Sequence, residues 1–147
     1  MSESKIVSAS REIAAPAHVV FELIADPSRQ PEWDGNDNLA ASNSPRVTRT
    51  GEAFEMTNTG GNVRANHVVA FEEGRLIAWR PSPIDKPQPG HEWRWEIEPL
   101  DETSCRVTHT YDWTDLTDET RFERARNTTS EKLQASIDRL AALAATQ

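Results

Sequence analysis

The groups best suited to moving a proton are three histidines, His67, His91 and His109, together with Tyr111. An imidazole beside a phenol in an enclosed, water-poor place can take a proton from a substrate carbon while the phenol polarises a carbonyl. Aldol-type cyclisation and dehydration both require this. Each histidine also has a plainer reading, as a core residue whose ring nitrogens are satisfied by neighbours. His109 and Tyr111 are the catalytic candidates. His67 and His91 are candidates for contacting a bound molecule. The fourth histidine, His18, falls on a helix and is expected to face water.

Large flat side chains accompany these groups. Trp79, Trp93, Trp95, Tyr111 and Trp113 would form an aromatic wall of the kind that stacks flat apolar ligands. Ordinary core filling is the alternative; Trp79, Trp93 and Trp95 are the residues expected to touch a ligand, and Trp33 reads as a structural plug. Arg126 and Thr129 are expected to look inward from the C-terminal helix, where the arginine would pair with a ligand carboxylate or phenolate, or with an acidic side chain of the protein. Asp34, Asn36 and Asp37 lie in a polar loop that could gate an entrance, supply a carboxylate base, or simply be solvated. The three histidines fall on separate strands without the short local spacing of zinc motifs, so no metal is expected. No nucleophile motif, phosphate loop or dinucleotide fingerprint is present, and no cofactor is expected.

What must position these residues is a run of strands. Between residues 46 and 113 the hydrophobic period is two, with strands expected near 46–49, 52–58, 62–71, 75–80, 91–99 and 104–113, after a first strand at 5–13. In the last pair, His91, Trp93, Trp95 and Ile97 alternate with charged residues, and Cys105, Val107, His109, Tyr111 and Trp113 alternate with polar ones. That is a half-buried antiparallel hairpin. A three-residue loop, 100–102, would bring the two inner faces together and set Trp93 across from His109 and His91 across from Tyr111. Gly60-Gly61 suits a two-residue turn placing Phe54 opposite His67 and Met56 opposite Ala65. A Glu72-Glu73-Gly74 loop would pair Val69 with Ile77 and His67 with Trp79; a two-residue turn at Glu73-Gly74 would instead send Trp79 to the other face. Pro81, Pro83, Pro87, Pro89 and Gly90 punctuate a segment expected to leave the sheet and form a stiff flap or a plain connection.

Helices bracket the strands. Pro16 begins a helix whose inner face is Ala17, Val20, Phe21 and Ile24, and Asp26-Pro27 ends it and caps a short second helix reaching Trp33. Residues 34–44 read as a loop. Within residues 115–147 one long helix of about 26–28 residues is expected, with Thr117 as its N-cap and Phe122, Arg126, Thr129, Leu133, Ile137, Leu140 and Ala144 along its inner stripe. Burying an arginine against a dry sheet is costly, so the Arg126 end is expected to face a cavity.

The 147 residues suit a single domain, 1–147. The formal charge of −8 and the lack of a basic stripe argue against nucleic acid as a partner. No apolar run is long enough to insert in a membrane. Residues 1–10 lack the basic and apolar stretches of a secretion signal, and the single Cys105 excludes an internal disulfide; the expectation is a cytoplasmic protein. A homodimer is compatible with the sequence.

A sheet with one apolar face needs a cover, and the terminal helix is the largest one available. The expected fold is α+β, a helix-grip in which a curved seven-stranded antiparallel sheet wraps the C-terminal helix, with two short helices after the first strand. The segments Ile13-Ala14-Ala15-Pro16-Ala17, Val20-Phe21-Glu22-Leu23-Ile24-Ala25-Asp26-Pro27 and Pro31-Glu32-Trp33 resemble the opening of the START/Bet v 1-like (SRPBCC) superfamily, in its bacterial polyketide cyclase/dehydrase branch. Gly51-Glu52-Ala53-Phe54, Arg75-Leu76-Ile77-Ala78-Trp79 and the closing helix extend the resemblance over nearly the whole chain. The resemblance implies the helix-grip fold with an internal cavity, and functions ranging from lipid and hormone carriage to cyclisation and dehydration. Fold alone does not choose among these. The primary expectation is binding of a small hydrophobic or aromatic molecule. The alternatives are a polyketide cyclase/dehydratase using the inward His/Tyr pair, and a partner-binding domain like the co-chaperone relatives of the fold.

Overall fold

The computed structural model describes residues 4–147; the reading of residues 1–10 as lacking a leader lies partly outside them. Seven strands form one antiparallel sheet: β1 (Ile6–Ile13), β2 (Leu39–Ala41), β3 (Ala53–Asn58), β4 (Val63–Glu72), β5 (Leu76–Pro83), β6 (Glu92–Asp101) and β7 (Ser104–Asp112). Their order across the sheet is β1-β7-β6-β5-β4-β3-β2. Helix α1 (Ala17–Ala25) and a 3₁₀ helix (Pro27–Glu32) follow β1. Asp26 caps the second of these by accepting the Ser28 N–H at 3.0 Å. Val20, Phe21 and Ile24 are buried on the face their spacing predicts.

The C-terminal segment is not one continuous helix. A short 3₁₀ helix (Glu119–Arg121) leads into α2 (Phe122–Arg126), and α3 (Ser130–Ala144) begins after a break. Asn127, Thr128, Thr129 and Ser130 are all indifferent helix formers, and side chains such as threonine's compete for backbone donors. Thr129 ends the break by capping α3, accepting the Lys132 N–H. The expected cap at Thr117 is replaced by Asp118, which caps the 3₁₀ helix. Leu133, Ile137 and Leu140 of α3 are fully buried, with Ala144 nearly so. Full burial of such an aliphatic side chain contributes roughly 1.5–3 kcal/mol, so this seam alone rivals the net stability of a domain. Arg11 shares a face of β1 with Ala9 and Ile13 because it reaches Asp138 on α3 at 2.8 Å.

Three registers differ from those expected, for identifiable reasons. Residues 46–49 are not a strand; the edge strand is β2, inside the segment read as a loop, and its three residues are too few to show a period. Asn58 N–H donates to Asn62 C=O at 2.7 Å, so the Gly60-Gly61 turn is wider than two residues. Phe54 therefore lies opposite Asn66 and Met56 opposite Arg64. That one-residue slip reverses which face each β4 side chain occupies. At the next hairpin a register shift between Val68 and Ala70 leaves Val69 exposed, with Ile77 across from Phe71 and Trp79 across from Val68. The β6–β7 pair keeps its inner faces together by other means. Its turn is shorter than expected, and a bulge between Pro99 and Asp101 supplies the odd residue. Trp93 thus faces Tyr111, and Trp95 faces His109.

Pro81 and Pro83 lie within β5 rather than outside the sheet. Pairing of β5 with β6 runs only from Leu76 to Trp79, so beyond Trp79 that side has no ladder bonds for a proline to remove.

Candidate functional site

Between the inner face of the sheet, the 3₁₀ helix after α1 and the broken C-terminal helix lies a cavity of about 170 Å³. Trp79, His91, Trp93, Trp95, His109 and Tyr111 all line it. All but His91 come from β5, β6 and β7, whose alternation turns them to the same side; His91 immediately precedes β6. His67 does not line it. The slip at Gly60-Gly61 places this ring on the opposite face of β4, where its Nε2 lies 2.9 Å from Ser82 Oγ. Asn66 and Arg64 take the inward positions instead. The three histidines therefore do not converge, and among the described residues no group of three or more His, Cys, Asp or Glu side chains is placed to hold a metal ion.

His109 is 3% exposed and sits between two indoles. Its ring stacks on Trp95 with centroids 3.7 Å apart and 13° between planes, and more loosely on Trp93 at 5.6 Å and 19°. Its Nδ1 is 3.0 Å from the Arg94 carbonyl. A carbonyl only accepts, so Nδ1 carries the proton and Nε2 presents a lone pair. Burial pushes the imidazole down to about 3, against a smaller opposing effect of that hydrogen bond. His109 is thus a neutral hydrogen-bond acceptor near pH 7. Tyr111, in contact with Trp93 at 4.4 Å, is pushed up to about 12 by burial and remains a protonated donor.

His91 lies beside Tyr111, with centroids 6.0 Å apart. Burial first, and then the positive charges of Arg121, Arg124, Arg64 and Arg80, push it down to about 4. Its Nδ1 and the Nε1 of Trp95 are buried without a hydrogen-bond partner. Buried polar atoms in folded proteins are nearly always paired, and both of these belong to cavity-lining side chains.

Arg126 and Thr129 are not in the cavity wall. The helix break rotates them away: Thr129 caps α3, and Arg126 is exposed, its guanidinium 5.9 Å from the Trp113 ring and 5.7 Å from that of Phe122. Arg121, Arg124 and Thr128 face the cavity in their place. Trp113 leaves the aromatic wall and packs with Leu116, Ala125 and Leu133. Trp33 plugs the end beneath α1, donating to the Leu23 carbonyl at 2.8 Å and meeting Trp95 edge-on at 5.1 Å.

The 34–38 loop is pinned rather than free. Asp34 is buried and accepts the backbone N–H groups of Asn36, Asn38 and Leu39. Its carboxylate is spent on the loop's own backbone and is no general base. Arg139 of α3 holds the Asp34 carbonyl and the Asp37 carboxylate, each at 2.7 Å. Gly35 touches α3 so closely that a Cβ there would stand 2.5 Å from the Ser136 nitrogen.

The register slip at one turn and the helix break hid Arg64, Asn66, Arg121 and Arg124 from sequence reasoning. The run Asn127-Thr128-Thr129-Ser130 was the available signal for the second.

Residues 4–145 match the family described as polyketide cyclase/dehydrase and lipid transport. An uncharacterized protein of Mycobacterium tuberculosis, Rv0088, is 37% identical over 111 residues, which cover 73% of this chain and 47% of that protein. The chain thus spans about half the length of the curated relatives it matches. Among solved structures, the ZhuI aromatase/cyclase from Streptomyces sp. R1128 superposes with a TM-score of 0.70 at 16% identity, covering 95% of this chain and 93% of that one. A START superfamily protein from Mycobacterium smegmatis gives 0.69 at 16% identity, covering 97% and 99%. At such identities these structures speak for the helix-grip fold, and the match along residues 4–145 carries the assignment: this chain belongs to the polyketide cyclase/dehydrase and lipid transport family.

Proposed function

We infer that the protein binds a small, flat, largely apolar molecule in the cavity walled by Trp79, Trp93, Trp95, His109 and Tyr111. The observation that carries this is the side chain of Trp95, which lines the cavity and whose buried indole Nε1 has no acceptor in the protein. An aromatic ligand with an oxygen would stack on the rings and satisfy that donor. The family match supports the reading, since lipid transport and polyketide chemistry both handle largely apolar molecules. Native mass spectrometry of the purified protein tests it: a co-purifying small molecule that disappears in Trp93→Ala, with the fold retained by circular dichroism, is expected. An adduct that survives Trp93→Ala would place the ligand elsewhere.

A second reading, a cyclase or dehydratase, draws on the His109 Nε2 lone pair and the Tyr111 hydroxyl sharing one wall. It ranks lower because an imidazole pushed down to about 3 is a poor proton acceptor at neutral pH. Turnover of a polyketide-like substrate that collapses in both His109→Ala and Tyr111→Phe would reverse the ranking. Nothing in the comparisons favours the co-chaperone reading. A cytoplasmic setting is part of the proposal, supported by the free, buried thiol of Cys105; no helix among the described residues is long and apolar enough to cross a membrane.

A further inference from the structure

The charge around the cavity runs against the charge of the chain. The sequence carries a formal −8, yet the charged side chains lining the cavity are Arg64, Arg121 and Arg124 with one carboxylate, Asp34. That carboxylate accepts three backbone N–H groups of its own loop and turns its charge into the turn. Arg121 is partly neutralised by Asp118 at 3.2 Å, in a pair open to water. Among the described residues, Arg64 and Arg124 make no salt bridge; elsewhere arginines pair freely with the abundant carboxylates, as Arg46 does with both Glu22 and Glu73. The two arginines come from β4 and α2, elements far apart in the sequence. Arg124 is exposed and Arg64 half-buried, so they mark its solvent-facing end. Trp95, fully buried, marks the deep end. His91, which also lines the cavity, is held below the usual imidazole range first by burial and then by the positive charges of Arg121, Arg124, Arg64 and Arg80.

We propose that the bound molecule is an aromatic carboxylate, its acid group held by Arg64 and Arg124 at the open end and an oxygen at its other end accepting the N–H of Trp95. This deepens the binding reading above and rests on it. Guanidinium groups favour planar carboxylates because the fork of N–H donors matches the two oxygens. The positive mouth also gives an anionic ligand a local attraction that the acidic remainder of the surface withholds.

Two naphthalenes of nearly the same shape separate the charge from the cavity: 6-hydroxy-2-naphthoate, and 6-hydroxy-2-acetylnaphthalene, in which a methyl ketone replaces the carboxylate. Calorimetric titration of the wild-type chain is expected to show the acid binding about tenfold or more tighter than the ketone. The double variant Arg64→Gln/Arg124→Gln should abolish this preference while moving the ketone by less than about threefold. Trp95→Phe should weaken both ligands alike, and Arg126→Gln, outside the cavity, should change neither. Equal wild-type binding of the two ligands, or a preference that survives the double variant, overturns the carboxylate proposal and leaves the cavity reading standing. Failure of both ligands to bind the wild type overturns the binding reading, and this proposal with it.

Discussion

The neutral His109 gives the fold an acid sensitivity whose size and sign can be worked out. An unfolded histidine titrates near 6.5, whereas the buried ring is pushed down to about 3. The folded state therefore binds no proton at this site over the interval in which the unfolded state gains one. The native state is favoured fully above about pH 6.5, and the advantage shrinks as pH falls toward about 3. Between pH 7 and pH 5 the linkage relation gives a loss of about 2 kcal/mol from this residue. His109→Phe keeps a flat ring between Trp93 and Trp95 but strands the Arg94 carbonyl that Nδ1 now satisfies at 3.0 Å. Leaving that acceptor unpaired costs about 1–2 kcal/mol at any pH. The variant should be less stable than wild type at pH 7 and equal or more stable at pH 5. Urea denaturation followed by far-ultraviolet circular dichroism at both values measures the crossing. Every other titrating group is common to the two proteins and cancels. A stability difference that is the same at pH 7 and pH 5 would refute the neutral, buried assignment of His109.

Two further substitutions test how the cavity is framed. Gly35→Ala drives a methyl against the α3 backbone 2.5 Å from the Ser136 nitrogen; neither side can yield easily, and urea denaturation should show a loss of about 2–3 kcal/mol. Thr129→Ala removes the cap that starts α3 and should cost about 1 kcal/mol by the same measurement, whereas Thr117→Ala, at the cap position the sequence suggested, should be near neutral.

The site joins features that seldom occur together in a dry core. Its walls are aromatic, a buried donor on one lining side chain is unpartnered, and its open end is cationic on an acidic protein. A packed interior would have satisfied the Trp95 N–H or replaced the indole, because an unpaired buried donor costs about 1–3 kcal/mol. A ligand that supplies the acceptor offsets this cost when it binds, as the proposed molecule does.

Local pattern determined much of this protein. The period-two alternation in residues 91–113 is enough to turn Trp93, Trp95, His109 and Tyr111 to one side, because side-chain direction along a strand is a local property of the pleat. The aliphatic spacing of Leu133, Ile137 and Leu140 likewise fixes the buried face of α3. What the tertiary structure alone decided is which polar residues join them. Whether His67 or Asn66 looks inward depends on a single residue in the Gly60-Gly61 turn, and whether Arg126 or Arg124 does depends on a break at residues 127–129. Both are phase questions: a shift of one residue on a strand exchanges faces, and a break in a helix resets which residues face inward, each at little local energetic cost. The choice is made by packing across the whole sheet and against α3, which no short stretch of the sequence contains.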